Sequence, residues 1–82
     1  MITGLQIRMA RAALRWSAHD LADRTALSIS TIKRAEAEDG IPQSTRANLL
    51  ALRSALGAAG IEFIGTPDDG PGIRLRQPSV PI

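Results

Sequence analysis

Cysteine is absent from this chain of 82 residues, so neither a disulfide nor a cysteine-ligated metal site can form. Aromatic residues are scarce, with only Trp16 and Phe63 present. Proteins that bind single strands by stacking bases need several aromatic faces, so that class is disfavoured. Long apolar runs are also missing, and charges interrupt the opening stretch MITGLQIRMARAALRWSAHD, unlike a signal peptide or a membrane span. We therefore expect a cytoplasmic protein.

Size and charge narrow the class further. A chain of this length forms one small domain, whose modest core gains stability from a partner or a second copy. The formal net charge is only +2, yet nine of the ten cationic residues are Arg. Arg makes forked contacts with phosphates and guanine edges, as in DNA-binding proteins. A genome rich in G and C explains the same ratio by codon usage, so composition leaves both explanations open.

Capping residues and apolar spacing predict two helices at the start of the chain. Thr3 begins a helix expected over about 4–16, with apolar residues on more than one side. Ser17 begins the next, and Asp20 three residues later forms an acidic variant of the capping box. This second helix is expected to be short and to end near Thr25.

Two further helices follow. Ser28 caps a helix expected over about 29–38, which the turn sequence DGIP ends. Gln43 or Ser44 begins a fourth helix. Gly57 weakens this helix, so either one continuous helix or two helices divided at Gly57 are expected. The prediction is therefore four or five small helices before Gly60.

The chain then changes to the alternation of apolar and polar residues that is typical of strands. IEFI and GIRLR flank GTPDDGPG, which is rich in turn residues, so we predict a hairpin with Glu62 opposite Arg74 or Arg76. The fold class is mainly α: a compact domain of four to five helices with a C-terminal β-hairpin or strand pair. Its expected divisions are a helical part, a strand segment and a flexible tail, at 1–60, 61–77 and 78–82.

The segment LRWSAHDLADRTALSISTIKRAE resembles the helix-turn-helix of phage-repressor-like (Cro/repressor, or Xre) DNA-binding domains. In that family one helix begins Ser-Gln-x-x-Leu-Ala, and after a turn the next reads Ser-x-x-Thr-Ile-x-x-x-Glu. The positions that match here are Ser17, Leu21, Ala22, Ser28, Thr31, Ile32 and Glu36. The resemblance covers roughly residues 7–56 and implies a lambda-repressor-like fold. The strand-like tail resembles that of small bacterial regulators of this family.

The resemblance implies that the helix beginning at Ile29 enters the major groove of double-stranded DNA. Ile29 would pack on a thymine methyl group, and Ser30 and Thr31 would approach base edges or phosphate. Arg34, one turn after Ser30, would donate to guanine O6 and N7. The alternatives are that Ile29 covers the core, that the two hydroxyls serve the helix N-terminus, and that Arg34 is an ordinary solvated side chain.

The resemblance also implies contacts with phosphate from helix N-termini and from flanking cations. The family often has Gln after the first cap, whereas this chain has Ala18, so one usual phosphate contact is missing and His19 is its expected substitute. The full set of expected phosphate contacts is Ser17, His19, Lys33, Gln43, Ser44, Thr45 and Arg46. For His19 the alternative is an exposed helix residue, and for the last four it is plain capping.

A structural ion pair and a dimer complete the expectation. In the family, an Arg on the first helix faces a Glu at the end of the reading helix, which assigns Arg11 and Glu36 to orienting that helix. A lone hairpin is marginal in water and its edges pair readily, so we expect a homodimer through the strands. The residues expected at that interface are Ile61, Phe63, Ile73 and Leu75. The alternative is a hairpin folded back on its own helices.

The functional expectation is therefore a dimeric transcriptional regulator, a repressor reading a palindromic operator. The alternative is an antitoxin that binds DNA and also a toxin protein. An enzyme is not expected, because the chain has one His, no Cys and no nucleophile and base at a telling spacing. No cofactor and no metal site are expected, since Asp68 and Asp69 alone are too few ligands.

Overall fold

The computed structural model describes residues 2–76, and the expected tail at 78–82 lies outside them. Four helices precede two antiparallel strands, which confirms the mainly α architecture with a C-terminal hairpin. The elements are α1 (Gly4–Leu14), α2 (Ala18–Thr25), α3 (Ile29–Glu36), α4 (Arg46–Ala58), β1 (Ile61–Thr66) and β2 (Asp69–Leu75). Within the described residues no helix is long and apolar enough to cross a membrane.

Each helix begins at a hydroxyl side chain that accepts a hydrogen bond from the backbone N–H three residues later. The caps are Thr3, Ser17, Ser28 and Thr45, with distances of 3.0–3.2 Å. Helices α1 and α2 begin with a capping box, in which the side chains of Gln6 and Asp20 accept a second hydrogen bond from the N–H of the cap residue. Each such cap contributes about 1 kcal/mol and stabilises the start of its helix.

Three expected boundaries were wrong. Helix α1 stops at Leu14 because Arg15 adopts a left-handed conformation, with φ of 58°. Helix α3 stops at Glu36, two residues earlier than expected. In the loop that follows, the carbonyls of Asp39 and Gly40 accept hydrogen bonds from the N–H groups of Leu5 and Gly4 in α1. Helix α4 begins after Thr45, so Gln43 and Ser44 lie in the preceding loop, and Gly57 does not divide the helix.

The core draws side chains from every helix and from the first strand. Its largest fully buried apolar residues are Ile7, Leu21, Ile32, Leu52 and Leu56, and Ile61 of β1 lies among them at 4% exposure. Full burial of such a side chain contributes about 1.5–3 kcal/mol, so these contacts are the main source of stability. The strands therefore share the helices' core.

Glu62 lies opposite Arg74, one of the two partners expected for it, with Ile61 opposite Leu75 and Phe63 opposite Ile73. The expected strand ends were wrong, because both strands extend into GTPDDGPG, to Thr66 and from Asp69, and leave a turn of two residues. The register of the hairpin shifts between Ile64 and Thr66, at a bulge where Gly65 has φ of 75°. A Cβ at Gly65 would lie 2.1 Å from the Gly70 carbonyl oxygen, so only glycine fits this bulge.

The buried side chain of Gln6 ties the hairpin to α1. Its Nε2 donates to the carbonyl oxygens of Ile64 and Gly72 at 3.0 and 2.8 Å, while its Oε1 accepts from the Thr3 N–H at 2.9 Å. One amide therefore caps α1 and holds both strands. Sequence reasoning missed this contact, because carbonyl groups that meet only in the folded chain leave no signal in the sequence.

Candidate nucleic-acid interface

Helices α2 and α3 are joined by the three residues 26–28. Ala26 adopts φ of 59°, which turns the chain sharply. The Thr25 hydroxyl donates to the Leu21 carbonyl at 2.8 Å and accepts from the Leu27 N–H at 3.3 Å. Helix-turn-helix motifs likewise consist of two short helices joined by a turn of about this length.

The first turn of α3 presents hydroxyl groups that Ser28 organises. Its Oγ accepts from the Thr31 N–H at 3.2 Å and lies 2.8 Å from Thr31 Oγ1 and 3.1 Å from Ser30 Oγ. Ser28 and Ser30 are exposed, and Thr31 is half-buried. Each hydroxyl also has lone pairs and a rotatable proton, so this edge of α3 can still bond a ligand.

The cationic side chains of α3 are more exposed than Ile29, the first residue of the helix. Lys33 and Arg34 are exposed on the helix surface. Ile29 is half-buried and packs against the core, so at least part of its side chain serves the fold. Exposure leaves Arg34 able to extend its guanidinium toward a ligand, one turn beyond Ser30.

Arg11 holds α3 against α1 through a two-pronged ion pair. Its Nε donates to Glu36 Oε2 at 2.8 Å and its Nη2 to Glu36 Oε1 at 2.9 Å, and Nη1 reaches the Trp16 carbonyl at 3.2 Å. Glu36 is only 8% exposed, and its hydrogen bond raises the pKa of the Arg11 guanidinium. The planar fork of Arg matches a carboxylate, so the pair sets both the distance and the angle of α3.

A second Arg on the same face of α1 also holds α3. Arg8 donates to the carbonyl oxygen of Glu36 and to the carboxylate of Asp39. The first of these satisfies a carbonyl at the C-terminal end of α3 that has no partner within the helix. The spacing of Arg8 and Arg11, three residues apart on a helix, was the available signal for this contact, and the sequence analysis did not use it.

The helix N-termini differ in their suitability for an anion. Asp20 accepts from the Ser17 N–H at 2.8 Å, and this hydrogen bond lowers the pKa of Asp20, so α2 begins with a carboxylate of its own. That charge opposes a phosphate beside Ser17 and the exposed His19. Helices α3 and α4 have no acidic residue in their first turns. Their free N–H groups are therefore the stronger anion sites.

The second expected group of phosphate contacts divides at the start of α4. Thr45 caps the helix and Arg46 is its first residue, and both are exposed. Gln43 and Ser44 precede the cap and contribute no N–H group to the first turn of α4. The structure thus brings Thr45 and Arg46 to a helix N-terminus and leaves the other two in a loop.

The strand residues expected at a dimer interface lie mostly inside the molecule. Ile61 is a core residue, and Phe63 and Ile73 pack half-buried against the core. Leu75 is 38% exposed and Ile64, which was not on the expected set, is 36% exposed. The hairpin is therefore packed on its own helices, and Ile61 can meet a second subunit only by leaving this core.

The part of the chain from Ile2 to Arg76 has no group of three or more His, Asp or Glu side chains placed to hold a metal ion. Comparison with known proteins found no match: no family model, curated protein or solved structure is significantly similar to this chain.

Proposed function

We propose that this chain is a sequence-specific regulator that binds double-stranded DNA, a dimeric repressor of the phage-repressor-like class. The observation that carries the proposal is the exposed N-terminal edge of α3, held by a three-residue turn on one side and by the Arg11–Glu36 pair on the other. A major groove about 12 Å wide admits a helix presented in this way.

The individual roles follow from placement. Ser30 and Thr31 are short enough for the backbone of α3 to approach the bases, and Arg34 provides the long forked donor. Lys33, the exposed neighbour of Arg34, meets phosphate. Thr45 and Arg46 provide a second phosphate contact at the N-terminus of α4, since that turn lacks acidic residues.

Selection of bound sequences from random duplexes tests the proposal directly. We expect a palindromic motif, because two copies of one reading helix recognise two equivalent half-sites. Binding should weaken steeply with salt, since each phosphate contact releases counterions. No enrichment at low salt would contradict sequence-specific binding.

Arg34→Ala and Lys33→Ala form a matched pair, because both residues are exposed on the same helix. Arg34→Ala should remove about 1–3 kcal/mol of discrimination between the selected site and shuffled DNA. Lys33→Ala should weaken both duplexes equally. Equal loss on both duplexes for Arg34→Ala would reject Arg34 as a base-reading residue.

A further inference from the structure

A groove of about 420 Å³ lies along the outer face of α4, lined by Ile2, Arg46, Leu49, Leu50 and Arg53. Leu50 is 54% exposed, the most exposed large apolar side chain in the described residues. Arg46 and Arg53 lie one turn before and one turn after it on the same helix face. Neither α4 nor the groove lining contains an acidic residue, so this surface is apolar and cationic without its own counter-charge.

The opposite surface chemistry occurs at the end of the hairpin. We define the hairpin tip as residues 66–70, TPDDG, in which Asp68 and Asp69 are exposed. No salt bridge involves either carboxylate among residues 2–76. From Phe63 to Ile73 the chain carries no cation. The tip is therefore an exposed acidic loop without a partner on its own subunit.

The groove and the hairpin both contact residues at the N-terminal end of α1. Ile2 lines the groove, and Gln6, in the first turns of α1, bonds Ile64 and Gly72, which lie opposite each other two positions before the tip. In a two-fold dimer, surface A of one subunit meets surface B of the other and the reverse contact repeats. A subunit that carries two surfaces of opposite charge meets that requirement.

We propose that the groove receives the hairpin tip of a second copy of this chain, with Asp68 and Asp69 paired to Arg46 and Arg53. The proposal names the interface of the dimer and so rests on the proposed function. Pairing α4 directly with α4 would instead bring four guanidinium groups together, which like-charge repulsion opposes. The Arg46 guanidinium has five N–H donors, so it can bond a carboxylate of the tip and a DNA phosphate together, whereas Arg53, two turns further along α4, serves the groove alone.

Sedimentation velocity without DNA tests the contact by exchanging its charges. One variant carries Asp68→Lys and Asp69→Lys, and the other carries Arg46→Glu and Arg53→Glu. All four side chains are exposed, and circular dichroism checks that both variants fold. Each variant alone should raise the dimer dissociation constant about tenfold or more, because like charges then meet at both contacts.

Mixing the two variants is the decisive measurement. Lysine tips then meet glutamate grooves, and native tips meet native grooves, so a heterodimer should re-form with about the native dissociation constant. Variants that stay dimeric alone, or a mixture that stays monomeric, overturn the proposal. A monomeric wild-type chain also overturns it and leaves the groove to another acidic partner. Because DNA is absent, each of these results is independent of whether Arg34 reads bases.

Discussion

Helix α1 holds two parts of the molecule through two polar side chains five positions apart, and it does so in different ways. Arg11 holds α3 through a charged pair with Glu36, and Gln6 holds the hairpin through neutral bonds to two backbone carbonyls. A charged pair requires a specific partner side chain. An amide that donates to carbonyl groups requires only that backbone carbonyls of the hairpin lie within hydrogen-bond distance, whatever side chains those residues carry.

This difference explains why one of the two contacts was predicted from the sequence and the other was not. Arg11 and Glu36 were named together because both side chains are visible in the sequence and the resemblance pairs them. Gln6 was missed because its partners, the carbonyls of Ile64 and Gly72, are 58 and 66 residues away and carry no side-chain signal. The attachment of α3 was therefore easier to predict than the attachment of the hairpin.

The largest expected effect comes from breaking the charged attachment. Arg11→Ala leaves the Glu36 carboxylate almost buried without its partner, which should lower the free energy of unfolding by about 2–4 kcal/mol. Urea denaturation followed by circular dichroism measures this. Arg11→Met with Glu36→Leu is the control, because removing both charges should recover most of the loss. Equal destabilisation in the double variant would show that packing, not the unpaired charge, is responsible.

Removing the Gln6 amide should lower the free energy of unfolding by less than Arg11→Ala does, and the hairpin should be affected instead of α3. Gln6→Ala removes two donors from the hairpin and the acceptor from the Thr3 N–H, so we expect a loss of about 2 kcal/mol. Gln6→Glu keeps the acceptor but places a carboxylate against two carbonyls. Amide hydrogen exchange should then show faster exchange in the hairpin for both variants, with α1 affected more in Gln6→Ala. Unchanged hairpin exchange in both would contradict this role.

The caps offer a smaller test within the helical part. Ser28→Ala removes a hydroxyl that bonds the Thr31 N–H, and Ser17→Ala removes the corresponding cap of α2. Each should cost about 1 kcal/mol in thermal or urea unfolding. Ser28→Ala should also weaken binding to the selected duplex, because it disorders the edge of α3 that the proposal assigns to DNA. A Ser17→Ala variant that loses as much affinity would make α2 equally important for binding.

The smallest effects are expected from two surface carboxylates, Asp20 in the helical part and Glu62 in the hairpin. The pKa of Asp20 is lowered by hydrogen bonds with Ser17, and that of Glu62 by its bonds to Arg76, with a smaller contribution from Arg74. A lowered folded-state pKa stabilises the fold above the unfolded pKa, and this contribution is lost as pH falls below about 4. Asp20→Asn and Glu62→Gln should each flatten the acid limb of stability against pH. A steeper loss of stability at low pH in either variant would show that the replaced carboxylate does not stabilise the folded state.

The candidate site was predicted unevenly. Ser28 was expected as the cap of α3 and is its cap, since capping depends on residues within one turn. The start of α4 was placed too early, at Gln43 or Ser44, because Thr45 is an equally good cap and only its bond to the Asn48 N–H decides between them. Ile61 was assigned to an interface, whereas the structure buries it, because alternation shows which residues share a face but not what covers that face.

Residues close together in the chain account for the local features of this protein: the hydroxyl caps at Thr3, Ser17 and Ser28, the antiparallel pairing of the two strands, and the apolar face of each helix. These depend on neighbours within a few residues, or on the two-residue period of a strand. Contacts between distant parts of the chain decide which elements α1 holds, where the hairpin bulges, and which apolar residues stay exposed. Those outcomes depend on groups far apart in the chain, whose mutual distances are set when the common core closes around Ile7, Leu21, Ile32, Leu52 and Leu56.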